Sequence, residues 1–336
     1  MGIKNLNRFL RERCTKKSIY KTNLKQFANK KIVIDTSIYL YKFISDGSLM
    51  ENMYLFISIL KKNEITPIFI FDGKPPPEKK DLLQARRAEK KDAEQQYKKL
   101  QLNLADASAN LIEIEEDEKK EIMIEMELLK RQFTRVRDED IRKVKQLMDA
   151  YGVCYYDAPA EADQLCAYFV NKGLAWGCMS DDMDMFLYGC PIVIRYLSLM
   201  KESVVLYDTT EILKELKMTE QQFCEIMILS GTDYNINTDT SLYETMKWFQ
   251  DYIKYLNKYD LKNVDDNTKR LGFYVWLVKN TKYINDFCKL LRTYQIFQKN
   301  TYYAELSSWE ATEIPEKQID MDKLKQILSE DGFLFN

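Results

Sequence analysis

The sequence predicts an α/β fold with a mostly parallel central sheet and helices on both of its faces. Two short apolar segments, Lys31–Asp35 and Pro67–Asp72, have the β-branched and aromatic character of strands buried on both faces. The residues between them, Tyr39–Lys61, have helical periodicity, which gives a strand–helix–strand unit and therefore two parallel strands. A chain of 336 residues, 46% of them hydrophobic, is long enough to bury such a core.

Three more strands and one helix continue this pattern further along the chain. The helix is Ala160–Asn171, which lies between a proline and a glycine turn signal. The strand candidates are Leu174–Ser180, Pro191–Leu197 and a possible edge strand, Ser203–Tyr207.

A long segment without glycine or proline, from Lys79 to about Leu147, predicts a helical insertion. One helix should run to about Leu104 and another should follow Leu111. From Thr209 onward the pattern is all-helical. We expect a core over residues 1–208, with the insertion at 78–147, and a helical region over 209–336 packed on the core. A purely structural charged hairpin is the alternative for the insertion.

The composition excludes several kinds of chemistry. There is no histidine, so histidine general bases, Ser-His-Asp triads and His-ligated zinc are ruled out. The seven cysteines are scattered without a CxxC motif, which suits free thiols in a reducing compartment. The apolar segments are short and broken by charge, so we expect a soluble, intracellular protein.

The charges are segregated along the chain, although the net charge is only −2. Residues 1–31 carry ten Lys/Arg and one acid, and residues 74–99 carry nine Lys/Arg and five acids. Such basic segments could follow a phosphate backbone. A solvated surface of mixed charge is the alternative for residues 74–99.

Aspartates end the first two predicted strands. Asp35 and Asp72 therefore lie where parallel sheets bind ligands, outside the carboxyl ends of the strands. Turn initiation or helix capping would also explain an aspartate at each position.

Five further acids follow in three clusters. Glu161 and Asp163 lie in the first turn of the predicted helix, where both can lean toward a cation. Asp182 and Asp184 follow a predicted strand, and in extended chain a spacing of two places both side chains on one side, with Asp181 facing away. Asp233 follows a helix and a glycine.

Carboxylates gathered at one sheet edge require cations, because their mutual repulsion and desolvation are otherwise too costly. Oxygen ligands favour Mg²⁺, with Mn²⁺ as a substitute, over Zn²⁺. Two such ions could support both the attacking water and the leaving oxygen of a phosphodiester displacement.

Six ordered sequence blocks resemble the flap endonucleases and their XPG-type relatives over most of the chain. The blocks are MGIKNL, VIDTSIYLYKF, FIFDGKPP, YYDAPAEADQLCAY, SDDMDMFLYGCP and LSGTDY. The resemblance implies a PIN/5′-nuclease-like fold and an enzyme that cuts branched DNA with two Mg²⁺ ions. It assigns Asp35, Asp72, Glu161 and Asp163 mainly to the first metal, and Asp182, Asp184 and Asp233 mainly to the second.

The resemblance also implies residues that act on DNA. Lys79 and Arg86 match a Lys and an Arg on the family's gateway helix that contact the scissile phosphate, and so stabilise its developing charge. Tyr41 matches an aromatic on which the base beside the cut stacks, although a core aromatic is the alternative. Gly2, in the first block, is assigned to DNA binding, and residues 90–131 resemble a cap that admits a 5′ single strand.

Three departures from the family pattern affect the expected function. Asp163 stands where flap endonucleases usually have Glu, as in the related mismatch-repair 5′ exonuclease. Asn235–Met246 replaces the Gly-rich hairpin that grips duplex DNA through K⁺. No sliding-clamp motif is present. The drifted, Lys/Asn/Tyr/Ile-rich chain suggests a large DNA virus as the source.

The sequence therefore predicts a structure-specific 5′ flap endonuclease and 5′–3′ exonuclease of DNA replication, repair or recombination. We expect a monomer that acts on branched or nicked DNA with a 5′ flap, in the nucleus or at a cytoplasmic viral replication site. A mainly exonucleolytic or junction-cutting relative remains open, as does a catalytically idle DNA-binding scaffold. A small PIN-type ribonuclease would lack the insertion and the helical C-terminal half.

Overall fold

The computed structural model describes residues 3, 5–109, 116–234, 240–258, 272–309, 314–315 and 318–333. Its centre is a seven-stranded sheet with the order β1-β7-β6-β5-β2-β3-β4. The strands are β1 (Ile19–Asn23), β2 (Lys31–Asp35), β3 (Thr66–Phe71), β4 (Cys154–Asp157), β5 (Gly177–Met179), β6 (Ile192–Ser198) and β7 (Ser203–Asp208).

The sheet is mostly parallel, as the sequence predicted. Strand β2 pairs in parallel with β3 on one side and with β5 on the other. Strands β4 and β6 extend the parallel part, and β7 and β1 pair antiparallel beyond β6. The expectation that Ser203–Tyr207 forms an edge strand is wrong, because β7 is paired with β6 on one side and with β1 on the other. Strand β2 is fully buried at Ile32, Val33 and Ile34. Burying side chains of this size stabilises the fold by roughly 1.5–3 kcal/mol each.

Two strands, β1 and β4, were not predicted. The residues of β1 are half-buried or exposed and include lysine, threonine and asparagine, so no apolar run marks the strand. Strand β4 has only four residues, with Cys154 buried and Asp157 exposed. Both are defined by pairing with a neighbouring strand, which a single-sequence pattern does not show.

The described residues form fourteen α-helices. The first seven are α1 (Leu6–Arg13), α2 (Thr36–Ser45), α3 (Leu49–Lys62), α4 (Lys80–Ala109), α5 (Glu116–Phe133), α6 (Asp138–Tyr151) and α7 (Ala162–Asn171). The other seven are α8 (Thr209–Leu216), α9 (Glu220–Leu229), α10 (Leu242–Lys258), α11 (Gly272–Asn280), α12 (Phe287–Ile296), α13 (Lys299–Glu305) and α14 (Met321–Glu330).

The single helix predicted over Tyr39–Lys61 is in fact two helices, α2 and α3. The chain turns between them at Gly47, whose φ of 75° is a left-handed conformation that glycine adopts without steric cost. The two helices of the insertion are present as predicted, α4 from Lys80 and α5 from Glu116. None of the described helices combines the length and apolar character of a membrane span.

The chain divides into two compact units. The first unit, residues 1–36, 57–75 and 153–316, contains the whole sheet. The second unit, residues 37–56, 76–152 and 317–336, contains α4, α5, α6 and α14. Within it, α4 packs on α5, and the rings of Tyr97 and Phe133 meet edge to face with centroids 5.4 Å apart. The predicted domain boundary between residues 208 and 209 stays a prediction.

All seven cysteines are free thiols. Burial raises the pKa of the Cys166 thiol to about 12, and raises those of Cys178 and Cys190 well above the usual value. These thiols therefore stay protonated at neutral pH, a form that does not ligate metals.

Candidate active site

The first part of the site lies at the carboxyl ends of the adjacent strands β2 and β5. Asp35 is the last residue of β2 and is buried, with 5% of its surface exposed. Ser180 follows β5, and its hydroxyl donates a hydrogen bond of 3.0 Å to Asp35 Oδ2. The pairing of β2 with β5 therefore brings together an acid and a hydroxyl that are 145 residues apart in the chain.

The segment after β5 carries Asp182 and Asp184 in a turn. The expectation of extended chain here is wrong, because Met183 has helical backbone angles and Asp184 begins a 3₁₀ turn. The backbone amide of Asp182 donates to Ser180 Oγ at 3.1 Å, and that of Asp184 donates to Asp182 Oδ1 at 2.9 Å. These local bonds between short polar side chains and the backbone favour the turn over a continued strand. Both acids are buried.

The second part of the site joins the end of β3 to the start of helix α7. Asp72 follows β3, and its Oδ1 accepts a 2.8 Å hydrogen bond from the backbone amide of Ala162, the first residue of α7. Glu161 occupies the N-cap position and Asp163 lies in the first turn. A carboxylate at a helix N-terminus is stabilised by the helix dipole. Asp72 therefore also caps a helix, one of the structural roles that its position allowed.

Gly73 permits this close approach of β3 to α7. Its amide donates to Ala160 O at 2.6 Å. A Cβ atom at this position would lie 2.1 Å from Ala158 O and 2.9 Å from Pro159 O, distances that no side chain tolerates. Glycine is thus required for the backbone that carries Asp72 to lie against the segment that carries Glu161.

The third part of the site follows helix α9. Asp233 is buried, and the hydroxyl of the next residue, Tyr234, donates a hydrogen bond to Glu161 Oε2. Tyr188 lies behind Tyr234, with 3.3 Å between the two hydroxyl oxygens. Burial raises the pKa of both phenols, and the nearby Glu161 carboxylate raises them further. Tyr234 therefore stays protonated and is available as a donor to Glu161.

The seven predicted acids all belong to the first unit. Three hydrogen bonds join the segments that carry them. The segment of Asp182 is joined to Asp35 through Ser180, the start of α7 is joined to Asp72, and the segment of Asp233 is joined to Glu161 through Tyr234. Oxygen ligands of this kind fit a hard divalent cation such as Mg²⁺. In the arrangement seen, however, no three acidic or cysteine side chains of the described residues converge closely enough to hold a metal ion. The carboxylate oxygens are the kind of ligand that Mg²⁺ prefers. In this structure, protein groups donate hydrogen bonds to Asp35, Asp72, Glu161 and Asp182.

The remaining predicted residues belong to the second unit or lie outside the described residues. Lys79 is buried in a 3₁₀ turn directly before α4, and Arg86 is half-buried on α4. Tyr41 is 43% exposed on α2, so it is not a core aromatic. The ammonium of Lys90 lies 4.8 Å from the centroid of its ring, a cation–π contact. Gly2 lies outside the described residues.

Sequence reasoning singled out the acids but missed three residues that position them. Ser180 bonds to Asp35, Tyr234 bonds to Glu161, and Gly73 allows the approach of two segments. All three lie inside the sequence blocks that suggested the family. Their position inside these blocks was the one signal that the sequence offered. The residues that they contact are distant in the chain, so the contacts themselves could not be predicted.

Two protein-family matches cover the segments that carry the acids. The XPG N-terminal domain family matches residues 1–93, and the XPG I-region family matches residues 152–233. Together the two matches cover just over half of the chain and include all seven acids.

Individual relatives are similar over most of the chain. A probable RAD2-like endonuclease, 369L of Invertebrate iridescent virus 6, is 27% identical, over 80% of this chain and 82% of that protein. Flap endonuclease 1 of Leishmania braziliensis is 32% identical over 70% of this chain, and the match spans about 60% of that protein's length.

The fold is also shared with solved structures. The catalytic core of Rad2 in complex with DNA substrate superposes with a TM-score of 0.65 at 19% identity, covering 98% of this chain and 95% of that one. This similarity confirms the predicted fold class. With the two family matches and the named relatives, it shows that the chain belongs to the XPG-type family of structure-specific nucleases, which hydrolyse DNA phosphodiesters.

Proposed function

We propose that this chain is a Mg²⁺-dependent 5′ nuclease that cuts 5′ flaps and digests 5′ ends of DNA during replication, repair or recombination. The observation that carries the proposal is the set of hydrogen bonds that orient three of the acids, from Ser180 to Asp35, from the Ala162 amide to Asp72, and from Tyr234 to Glu161. The similarity to proteins named flap endonuclease 1 supports the substrate class.

Seven carboxylates would hold the metal ions. Asp35, Asp72, Glu161 and Asp163 would hold the first, and Asp182, Asp184 and Asp233 the second. When bound, two Mg²⁺ ions supply Lewis acidity for activating water and stabilising the leaving oxygen. The protein's part is to orient the carboxylates, through Ser180 for Asp35, the α7 amide for Asp72 and Tyr234 for Glu161.

Residues of the second unit would act on the DNA. Lys79 and Arg86 would stabilise charge developing on the scissile phosphate, and Tyr41 would stack on the base beside the cut. We assign DNA binding to Gly2 as well. The helices α4 and α5 would form the gateway and cap through which a 5′ single strand passes.

The wider biological setting is also a proposal. We infer a monomer whose partner is branched or nicked DNA, with residues 1–208 as the α/β nuclease core that carries six of the acids and 209–336 as a helical region that supplies Asp233 and contacts duplex. The similarity to an iridescent-virus protein supports a viral source and action at a cytoplasmic replication site or in the nucleus.

The deciding experiment compares 5′-labelled substrates in Mg²⁺: a 5′ flap, a nicked duplex, a blunt duplex, a four-way junction and a single strand. We expect preferential endonucleolytic cleavage of the flap. Products of one nucleotide from every 5′ end would indicate a mainly exonucleolytic enzyme. Preferred cleavage of the four-way junction would favour a junction-cutting enzyme. Equal cleavage of the flap and the single strand would show that the segment after Asp233 does not bind duplex DNA.

Replacing Tyr234 by phenylalanine should raise the Mg²⁺ concentration needed for half-maximal cleavage by about tenfold, since the partners that orient a metal ligand typically contribute this much to metal affinity. The substitution removes the donor to Glu161 and keeps the buried ring. Mg²⁺ titrations of flap cleavage give the value.

The matched control is Tyr274→Phe, which removes a buried hydroxyl that donates to Glu225 O at 2.7 Å. Both variants should lose about 1 kcal/mol of unfolding free energy, the usual contribution of one hydrogen bond. An equal Mg²⁺ requirement in the two variants would show that Tyr234 supports only the fold.

Replacing both Lys79 and Arg86 by alanine should lower turnover by about a hundredfold or more, because their charges act on the transition state. DNA affinity should change by less than about fivefold, since each variant site supplies only one of many phosphate contacts. Single-turnover cleavage and fluorescence anisotropy in Ca²⁺ separate the two effects.

The control is Arg87→Ala with Lys91→Ala, which removes the same charge from exposed positions on α4. If the Lys79/Arg86 variant lost affinity alone, with turnover per bound complex unchanged, the two residues would be binding rather than catalytic groups.

A further inference from the structure

Tyr196 has an unusual conformation for a residue in a strand. Its φ is 58°, a left-handed value that bulky side chains rarely adopt. It lies on β6 where the pairing with β7 becomes irregular, between Arg195 and Ser198. Its ring is 41% exposed to solvent. Glycine would adopt this backbone without strain, so the presence of a large aromatic side chain calls for an explanation.

The surrounding structure holds this conformation in place. Asp181 Oδ1 accepts a 2.8 Å hydrogen bond from the backbone amide of Tyr196. Arg195 donates to Asp181 O at 2.7 Å, and its guanidinium lies 4.7 Å from the centroid of the Tyr196 ring. Arg195 is buried and also donates to Asn7 of helix α1 at 3.3 Å. Tyr196 is thus fixed to the segment that carries Asp182.

A positive charge accompanies the exposed ring. The guanidinium of Arg11, an exposed residue of α1, lies 5.4 Å from the centroid of Tyr196. On the same helix, Arg8 forms an ion pair of 2.7 Å with Glu12. Within the described part of the chain, Arg11 forms a hydrogen bond to Tyr207 and a cation–π contact with Tyr196, and no ion pair. Its charge therefore remains available to an anion.

We propose that Arg11 and Tyr196 form a DNA-binding site outside the seven carboxylates: Arg11 pairs with a backbone phosphate, and the Tyr196 ring packs against the adjoining nucleotide. An aromatic ring beside a guanidinium is the combination that binds nucleic acid without reading its sequence. The inference rests on the proposed function, since it takes DNA as the substrate. It also explains the strained backbone, which keeps the ring at the surface beside the segment of Asp182.

The first test compares three substitutions at one position. Tyr196→Phe keeps the ring, and its flap-DNA dissociation constant should stay within twofold of wild type. Tyr196→Ala and Tyr196→Gly lack the ring and should bind about tenfold more weakly. Affinity is measured by fluorescence anisotropy in Ca²⁺. Tyr20→Ala removes an aromatic ring of similar exposure (39%) from strand β1 and should bind as wild type does.

Stability supplies an independent readout. At an ordinary strand position, a glycine variant is less stable than the alanine variant. At position 196, glycine relieves the strain of the left-handed backbone, so the melting temperature of Tyr196→Gly should be about 2 °C above that of Tyr196→Ala. Weaker binding combined with this order of stability supports the proposal. Unchanged affinity in Tyr196→Ala and Tyr196→Gly overturns it, whichever of the two is more stable.

Salt dependence tests the charged partner. Arg11→Gln should lower the slope of log affinity against log salt by about one, the value for one lost phosphate contact. Arg8→Gln, which removes an already paired charge, should change the slope less. Equal slopes for Arg11→Gln and wild type overturn the assignment of Arg11. Failure of the wild type to cleave any flap would instead reject the proposed function, and so is distinguishable from a failure of this site.

Discussion

Replacing Asp182 by asparagine should lower DNA cleavage by about a thousandfold while leaving the fold intact. The amide keeps the oxygen that accepts the hydrogen bond from the Asp184 amide, so the turn after β5 is preserved. Only the negative charge is lost. Asp182 is 8% exposed, and a charge removed from such a buried position can be replaced neither by solvent nor by a neighbouring residue without rearrangement.

The measurement is single-turnover cleavage of the labelled 5′ flap, with the melting temperature determined in parallel. Asp322→Asn, at an exposed acid in the first turn of α14, is the matched control and should cleave as wild type does. Cleavage that survived Asp182→Asn would reject the assignment of this residue to the second metal. The same result would also favour the alternative that the chain is an inactive DNA-binding scaffold and that a contaminating nuclease cleaves the DNA.

Replacing Gly73 by alanine should also lower cleavage strongly, although the residue carries no functional group. The added Cβ would lie 2.1 Å from Ala158 O, so the backbone after β3 must move away from the start of α7. That movement breaks the bond from the Ala162 amide to Asp72 and separates Asp72 from Glu161. We expect cleavage to fall by about a hundredfold, since displacements near 1 Å have effects of this size.

The destabilisation caused by Gly73→Ala should be about 2–4 kcal/mol, within the range for severe backbone conflicts. Gly173→Ala is the control. Its φ of 74° makes alanine strained there, but no atom lies within 4 Å of the new Cβ. That variant should lose about 1–2 kcal/mol and keep its activity per folded molecule. Full activity in Gly73→Ala would show that the approach of β3 to α7 does not position the acids.

The sequence allowed the fold class to be predicted because β2 and β3 are buried on both faces and so have uninterrupted apolar segments. It did not reveal β1, whose side chains are partly polar, because that strand is defined by its pairing with β7. The turn at Gly47 was also missed, since the apolar periodicity continues on both sides of it. Local patterns report burial, whereas pairing and chain reversal depend on tertiary contacts.

The same distinction applies to the site. Acids at strand ends could be picked out one by one because parallel strands end at a common edge. The turn of Asp182 and Asp184 was predicted incorrectly, since a spacing of two is ambiguous between extended chain and a hydrogen-bonded turn. The hydroxyls of Ser180 and Tyr234 could not be placed, because their partners Asp35 and Glu161 are far away in sequence.

The position of β2 between β3 and β5 has a consequence for how the enzyme becomes active. On the ribosome, β3, one neighbour of β2, is synthesised soon after it. The other neighbour, β5, begins only at Gly177, and Asp233 is synthesised later still. A nascent chain on the ribosome therefore cannot assemble the full set of acids until residues beyond Asp233 have emerged. Translation products that end before Asp233 should therefore be unable to cleave DNA, even where they carry the residues that bind it.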